Sequence, residues 1–271
     1  MHLSIRHETL YRYSQPQAYS IEQLHLTPRA EAQQRVLSWH IRTPGHCVAY
    51  EDAYGNLSHM LTLNEPHDAV RIVVEGVVAT TALQDGRLLA RNSLSPLIFT
   101  VSTRLTEPTP LLAELAARCL PSERATTREL MDLAAHIYGA VAYQSGATDV
   151  FSTAGEAIVL GAGVCQDHAH IFLACCHARG IPARYVSGYI DPGSTGHAAS
   201  HAWVDAWAED GGFAGWISID ITHNRLMTQA YCRLAIGRDY ESAAPVRGVR
   251  HGGGYETMSV EALIVPVAAP V

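Results

Sequence analysis

Apolar and polar residues alternate from the start of the chain. Leu3, Ile5, Tyr11 and Tyr13 fall on one parity, the two-residue period of a strand with one buried face. Val70–Val78 is a β-branched run, and Pro28, Pro44-Gly45, Gly55-Asn56 and Asn64–Pro66 punctuate the region with turns. This half predicts short antiparallel strands in a sandwich-like domain or a single sheet. The rhythm changes at Thr106-Glu107-Pro108-Thr109-Pro110, where two prolines precede Leu111–Leu120, a stretch with helical spacing. Thr126–Val141 follows with Thr126 or Thr127 as N-cap and Leu130, Leu133, Ala134 and Ile137 on one face. In Ala162–Gly180 the apolar positions Ala169, Phe172, Leu173 and Cys176 recur at helical spacing, and Gly180 with Pro182 ends the helix. Ala183–Ile190 reads as a strand, Asp191–Ser200 as a loop, and His201–Trp207 with Trp216–Ile221 as an antiparallel hairpin. The class is α+β, with an N-terminal β-rich domain over 1–105 and a second domain over 106–271 that ends in a strand extension.

Composition narrows the function. Of 271 residues 48% are hydrophobic and 17% charged, the balance of a packed globular protein. Acidic residues outnumber basic ones 26 to 19, for a net charge of −7, and no Lys/Arg cluster offers a footprint for nucleic acid or an anionic membrane. No run approaches the roughly 18–20 apolar residues of a membrane helix. The opening MHLSIRHETLYRYS has no apolar block of secretory type, so a cytoplasmic location is expected. The six cysteines are scattered, with no C-x-x-C pair, which predicts reduced thiols and no structural zinc.

The chemistry concentrates in the second half. Cys165 opens the Ala162–Gly180 helix just after Gly161-Ala162-Gly163, where free N–H groups and the positive dipole end favour a thiolate. If Trp207 pairs with Trp216, then Trp203 falls opposite Asp220, and His201 lies diagonal to Asp220 on the same face. A thiol, an imidazole and a carboxylate that orients the imidazole are the parts of a nucleophilic site. Around them Gly163, Gln166, Asp167 and Trp203 are candidates for lining or supporting the cleft, Asp167 chiefly as a cap in the first helical turn. His168 and His170 lie two apart on a helix and face different ways, which argues against a metal site with Cys165. Arg184 and Asp239, both in apolar surroundings, are candidates for a structural ion pair.

The runs Gly163-Val164-Cys165-Gln166-Asp167, Gly180–Tyr189, Ser200-His201-Ala202-Trp203 and Trp216–Asp220 resemble the bacterial transglutaminase-like superfamily. His7-Glu8-Thr9, Leu26-Thr27-Pro28-Arg29 and Gly55-Asn56 resemble the β-rich region that precedes this domain in bacteria, and Gly237–Tyr240 with Pro245–Gly248 the segment that follows it. The resemblance implies a papain-like α+β core with Cys165 as nucleophile on a helix and His201 and Asp220 on adjacent strands. Many members carry proline directly after the aspartate; this chain has Ile221 and continues Thr222-His223-Asn224. The superfamily includes transglutaminases, peptidases, amidases and proteins without activity. The resulting expectation is a thiol acyl-transfer enzyme acting on a peptide or protein amide, hydrolysis favoured over amine transfer, with no metal or organic cofactor. The alternative is a peptide-binding or assembly module that keeps the fold without turnover.

Overall fold

The computed structural model describes residues 1–88, 94–193 and 199–268. Alternation carries the first strand, β1, unbroken from His2 to Leu24. Pro16, which lacks a ladder donor, falls in an irregular stretch where the register with β5 (His67–Thr80) shifts between Arg12 and Gln17. The first part of β1 pairs with β5 and with β14 (Glu256–Val267), the later part with β4 (Leu57–Leu63) and β13 (Val246–Gly252). β2 (Gln34–Arg42) adds to β5, and β3 (His46–Glu51) to β4. The seven strands make one curled antiparallel sheet, the β-rich antiparallel region that the alternation and turn signals predict. One long strand shared by two sets of partners bends the sheet on itself, around Leu24, Leu61, Val70, Ile72 and Val74. The C-terminal strand extension leaves the second half of the chain and completes this sheet.

The second half starts with α1 (Pro110–Cys119), capped by Thr109, and α2 (Thr127–Ala140), where Thr126 and Glu129 satisfy each other's backbone N–H groups. β6 (Ala142–Tyr143) pairs in parallel with β7 (Ala162–Gly163), the two flanking α3 (Ala154–Leu160) in the chain. Then come α4 (Cys165–Ala178) and the strands β8 (Ala183–Ile190), β9 (Ala199–Asp210), β10 (Phe213–Asp220), β11 (Arg225–Leu226) and β12 (Tyr231–Gly237), with α5 (Tyr240–Ala243) after them. The sheet runs β11-β10-β9-β8-β12, and Trp216 sits opposite Trp207.

The two faces of this sheet differ. Toward α4 it presents Ala183, Ala202, Val204, Ala206, Ala208, Ile217 and Ile219, small enough for the helix to bury Phe172 and Leu173 completely. Each such side chain removed from water contributes about 2 kcal/mol. The opposite face carries Trp203 and Trp216, and also an alternating chain of charges that reaches the N-terminal sheet. Asp205 accepts from Arg184 Nε at 2.8 Å and from Arg233 Nη2 at 2.6 Å, Arg233 Nε lies 2.7 Å from Glu31, and Arg29 Nε donates to Glu31 at 2.8 Å. Arg184 therefore pairs with Asp205 and not with Asp239, whose carboxylate caps α5 by accepting from Ser242 N at 3.0 Å. Asn56 Nδ2 donates to Ile236 O at 2.8 Å, and His7 Nδ1 shares a 2.7 Å hydrogen bond with the Tyr189 hydroxyl, so the halves are sewn together by buried polar contacts. A cleft of about 1200 Å³ runs along this junction past Arg29, Glu31, Tyr54 and Arg184; none of Cys165, His201 and Asp220 lines it.

Candidate active site

The nucleophile candidate is presented by a local device. Gly161 ends α3 in the left-handed region at φ 68°, which glycine adopts without strain. After β7, Cys165 is the first residue of α4. Asp167 turns back over this start: its Oδ2 accepts from Val164 N at 2.7 Å and from the Thr148 hydroxyl at 2.6 Å. Only glycine fits at 163, since a Cβ there would stand 2.6 Å from the Asp167 carboxylate. Gln166 Nε2 donates to Val150 O at 3.2 Å and ties down the same loop. Gly163, Gln166 and Asp167 thus hold the shape of the helix start, while Cys165 itself stays partly exposed. Tyr143, Tyr185 and Tyr240 gather round it: burial, and then the nearby Cys165, raise all three phenols above their ordinary pKa.

His201 and Asp220 meet as the hairpin register requires, with His201 Nε2 2.9 Å from Asp220 Oδ2. Burial opposes charge on His201, but hydrogen bonding to Asp220 and to Cys165 outweighs it and raises the imidazole pKa well above its ordinary value. Burial alone would raise the Asp220 carboxyl; the hydrogen bonds of His201 and His223 win and hold it far below the usual carboxylate range. With Nε2 committed to Asp220, Nδ1 is the His201 ring nitrogen left for another partner. Trp203 packs beneath, its ring centroid 6.0 Å from that of His201 and its Nε1 donating to Ser218 Oγ at 3.0 Å.

Three side chains around Asp220, those of His223, Tyr231 and Arg225, were not marked by the sequence as site residues. His223 grips both carboxylate oxygens of Asp220, through its backbone N at 3.1 Å and its Nδ1 at 2.7 Å. Tyr231, from β12, donates to Asp220 Oδ2 at 2.5 Å; burial and then the Asp220 charge raise its pKa, so it keeps the donated proton. Arg225 Nε in turn donates to the Tyr231 oxygen at 2.9 Å. His168, set aside above as a metal ligand, has a different position: Nε2 donates to Val141 O at 3.1 Å and Nδ1 faces the Thr222 hydroxyl at 3.0 Å. It fastens α4 to the turn after Asp220. The signal for His223 was the missing proline at 221, which leaves a turn free to fold back on the carboxylate. Nothing local signalled Tyr231.

A helix-borne cysteine set against a strand histidine and its carboxylate, on this α+β frame, is the arrangement of thiol acyl-transfer folds. Residues 113–221 match the transglutaminase-like superfamily, and residues 3–79 match the bacterial transglutaminase-like N-terminal region. The chain belongs to the transglutaminase-like superfamily. An uncharacterized protein of Mycobacterium tuberculosis is 31% identical over 270 residues, covering 90% of this chain and 86% of its own. One of Mycobacterium leprae is 29% identical over 281 residues, covering 98% and 99%. Among solved structures, a candidate cysteine protease from Cytophaga hutchinsonii shares the fold with a TM-score of 0.77 at 23% identity, over 100% of this chain and 92% of that one.

Proposed function

We propose that this protein is a thiol acyl-transfer enzyme that opens amide bonds of peptides or proteins through Cys165, His201 and Asp220. The observation that carries the reading is the His201–Asp220 contact, which fixes one imidazole nitrogen and leaves the other for the thiol. In the first step His201 takes the Cys165 proton and sulfur attacks the amide carbonyl. The developing oxyanion is met by backbone N–H groups at the α4 start, that of Cys165 among them. His201 then returns the proton to the leaving amine, the C–N bond breaks and a thioester remains on Cys165. Asp220 holds the imidazole in the required tautomer and stabilises the imidazolium, with Tyr231 and His223 fixing the carboxylate. Water, activated by His201, resolves the thioester in a hydrolase; a primary amine does so in a transglutaminase. We favour hydrolysis, because no described residue marks an amine acceptor site. We place this activity in the cytoplasm, where its six cysteines would stay reduced; no described helix is long and apolar enough to cross a membrane.

The test is a fluorogenic peptide and amide library run on wild type and Cys165→Ala, with intact-mass detection of the acyl adduct after acid quench. Turnover and a thioester adduct in wild type, both abolished in a folded Cys165→Ala, are expected. Unchanged turnover in that variant would overturn the reading, and reversible one-to-one peptide binding with no adduct would put a binding module in its place.

A further inference from the structure

The cluster behind the nucleophile has a second chemical capacity. Two imidazole nitrogens and a carboxylate oxygen, from His201, His223 and Asp220, lie within 4.8 Å of one another. His201 Nε2 and His223 Nδ1 stand 2.9 and 2.7 Å from the same Asp220 oxygen. Ligands that sit roughly 2.0–2.2 Å from a tetrahedral zinc ion lie about 3.3–3.6 Å from each other, so these separations need to open by only about 0.5–0.8 Å to become the edges of a coordination shell. Two nitrogens and one carboxylate oxygen form a donor set that zinc and its first-row neighbours accept, with a further position left for water. The His223 backbone N–H already orients the carboxylate through its other oxygen, as an outer partner of a metal ligand does. Access exists on one side: the His223 side chain is 45% exposed, whereas Asp220 is fully buried.

We propose that His201, Asp220 and His223 form an inhibitory site for a divalent cation of the zinc class. The cation replaces the two hydrogen bonds that the imidazoles donate to Asp220, and each neutral ring changes tautomer, its single hydrogen moving from the nitrogen that takes the metal to the nitrogen away from it. For His201 that is Nδ1, the atom that has to accept the thiol proton, so metal occupancy and thiol activation exclude each other. The inhibitory consequence rests on the triad reading above; the metal site itself does not. Spacing along the chain hides it, because 19 residues separate His201 from Asp220.

Calorimetric titration of zinc chloride into Cys165→Ala tests the site without the thiol. One zinc per chain is expected, weakened at least about tenfold by adding His223→Gln. Cobalt(II) bound to wild type is expected to show ligand-field bands without a thiolate charge-transfer band. In wild type, saturating zinc should slow iodoacetamide labelling of Cys165 at least about tenfold. Absence of binding to folded Cys165→Ala, affinity indifferent to His223→Gln, or a thiolate band in the cobalt spectrum would each overturn the site, and labelling unmoved by bound zinc would overturn its inhibitory role. The triad reading fails by a separate measurement, metal-free labelling that ignores His201→Ala.

Discussion

Asp205 and Asp220 are both fully buried, lie on adjacent strands β9 and β10 of one sheet, and are held ionised by basic partners. Their partners differ. Asp205 is clasped by two guanidinium groups that never release a proton in the working pH range. Asp220 is clasped by two imidazoles and a phenol, each of which has a proton to move or redirect. A buried carboxylate becomes a structural bolt or a chemical tool according to the acidity of what holds it. In the proposed mechanism the same carboxylate chemistry serves two ends a short distance apart.

Exchange of the two carboxylates separates these roles. Asp220→Asn keeps the shape but offers His201 an amide in place of a charge. Turnover is expected to fall by about 10³-fold, within the range that general acid–base participation contributes, while the chain stays folded by circular dichroism. A loss under tenfold would make Asp220 a bolt like Asp205. Asp205→Ala is expected to do the reverse, costing about 3–5 kcal/mol in urea unfolding because it strands Arg184 in the interior and leaves Arg233 with Glu31 alone.

The pH dependence of that loss has a definite sign. Burial raises the Asp205 carboxyl, but Arg233 and Arg184 more than offset it and bring it down to about 2. A depressed acid stabilises the folded state fully above its unfolded pKa near 3.9, and the contribution is lost only as pH falls through about 2. The stability gap between wild type and Asp205→Ala should therefore be flat from pH 5 to 8 and narrow steadily below pH 4. A gap that closes near neutrality would contradict the assignment. The smallest expected effect is that of Tyr231→Phe, which removes one of the donors to Asp220 Oδ2. Losing a hydrogen bond to a charged group costs about 1.5–3 kcal/mol. Part of this should appear as a several-fold fall in the Cys165 labelling rate and a shifted pH profile; unchanged labelling with reduced stability would confine Tyr231 to a packing role.

Much of the site was legible because it is built from local periodicities. Alternation in His201–Trp207 and Trp216–Ile221 fixed the facing of Trp203 and Asp220, and helical spacing with Gly180 and Pro182 located the helix that Cys165 opens. What escaped depends on strand order. Arg184 finds Asp205 because β8 lies beside β9, and Tyr231 reaches Asp220 from β12 at the other edge of the sheet. No period in the chain announces either neighbour. Likewise the C-terminal strand extension was legible but its partner was not, since β13 and β14 pair with β1, more than two hundred residues earlier.

That pairing has a kinetic meaning. His2 lies opposite Val267, so the two sides of this ladder come from segments more than two hundred residues apart. Until β13 and β14 dock, β1 has an open edge over most of its length, and a long loop must close before the ladder forms. Such a sheet waits. Its completion is expected to be slow and tied to the folding of everything that lies between its strands.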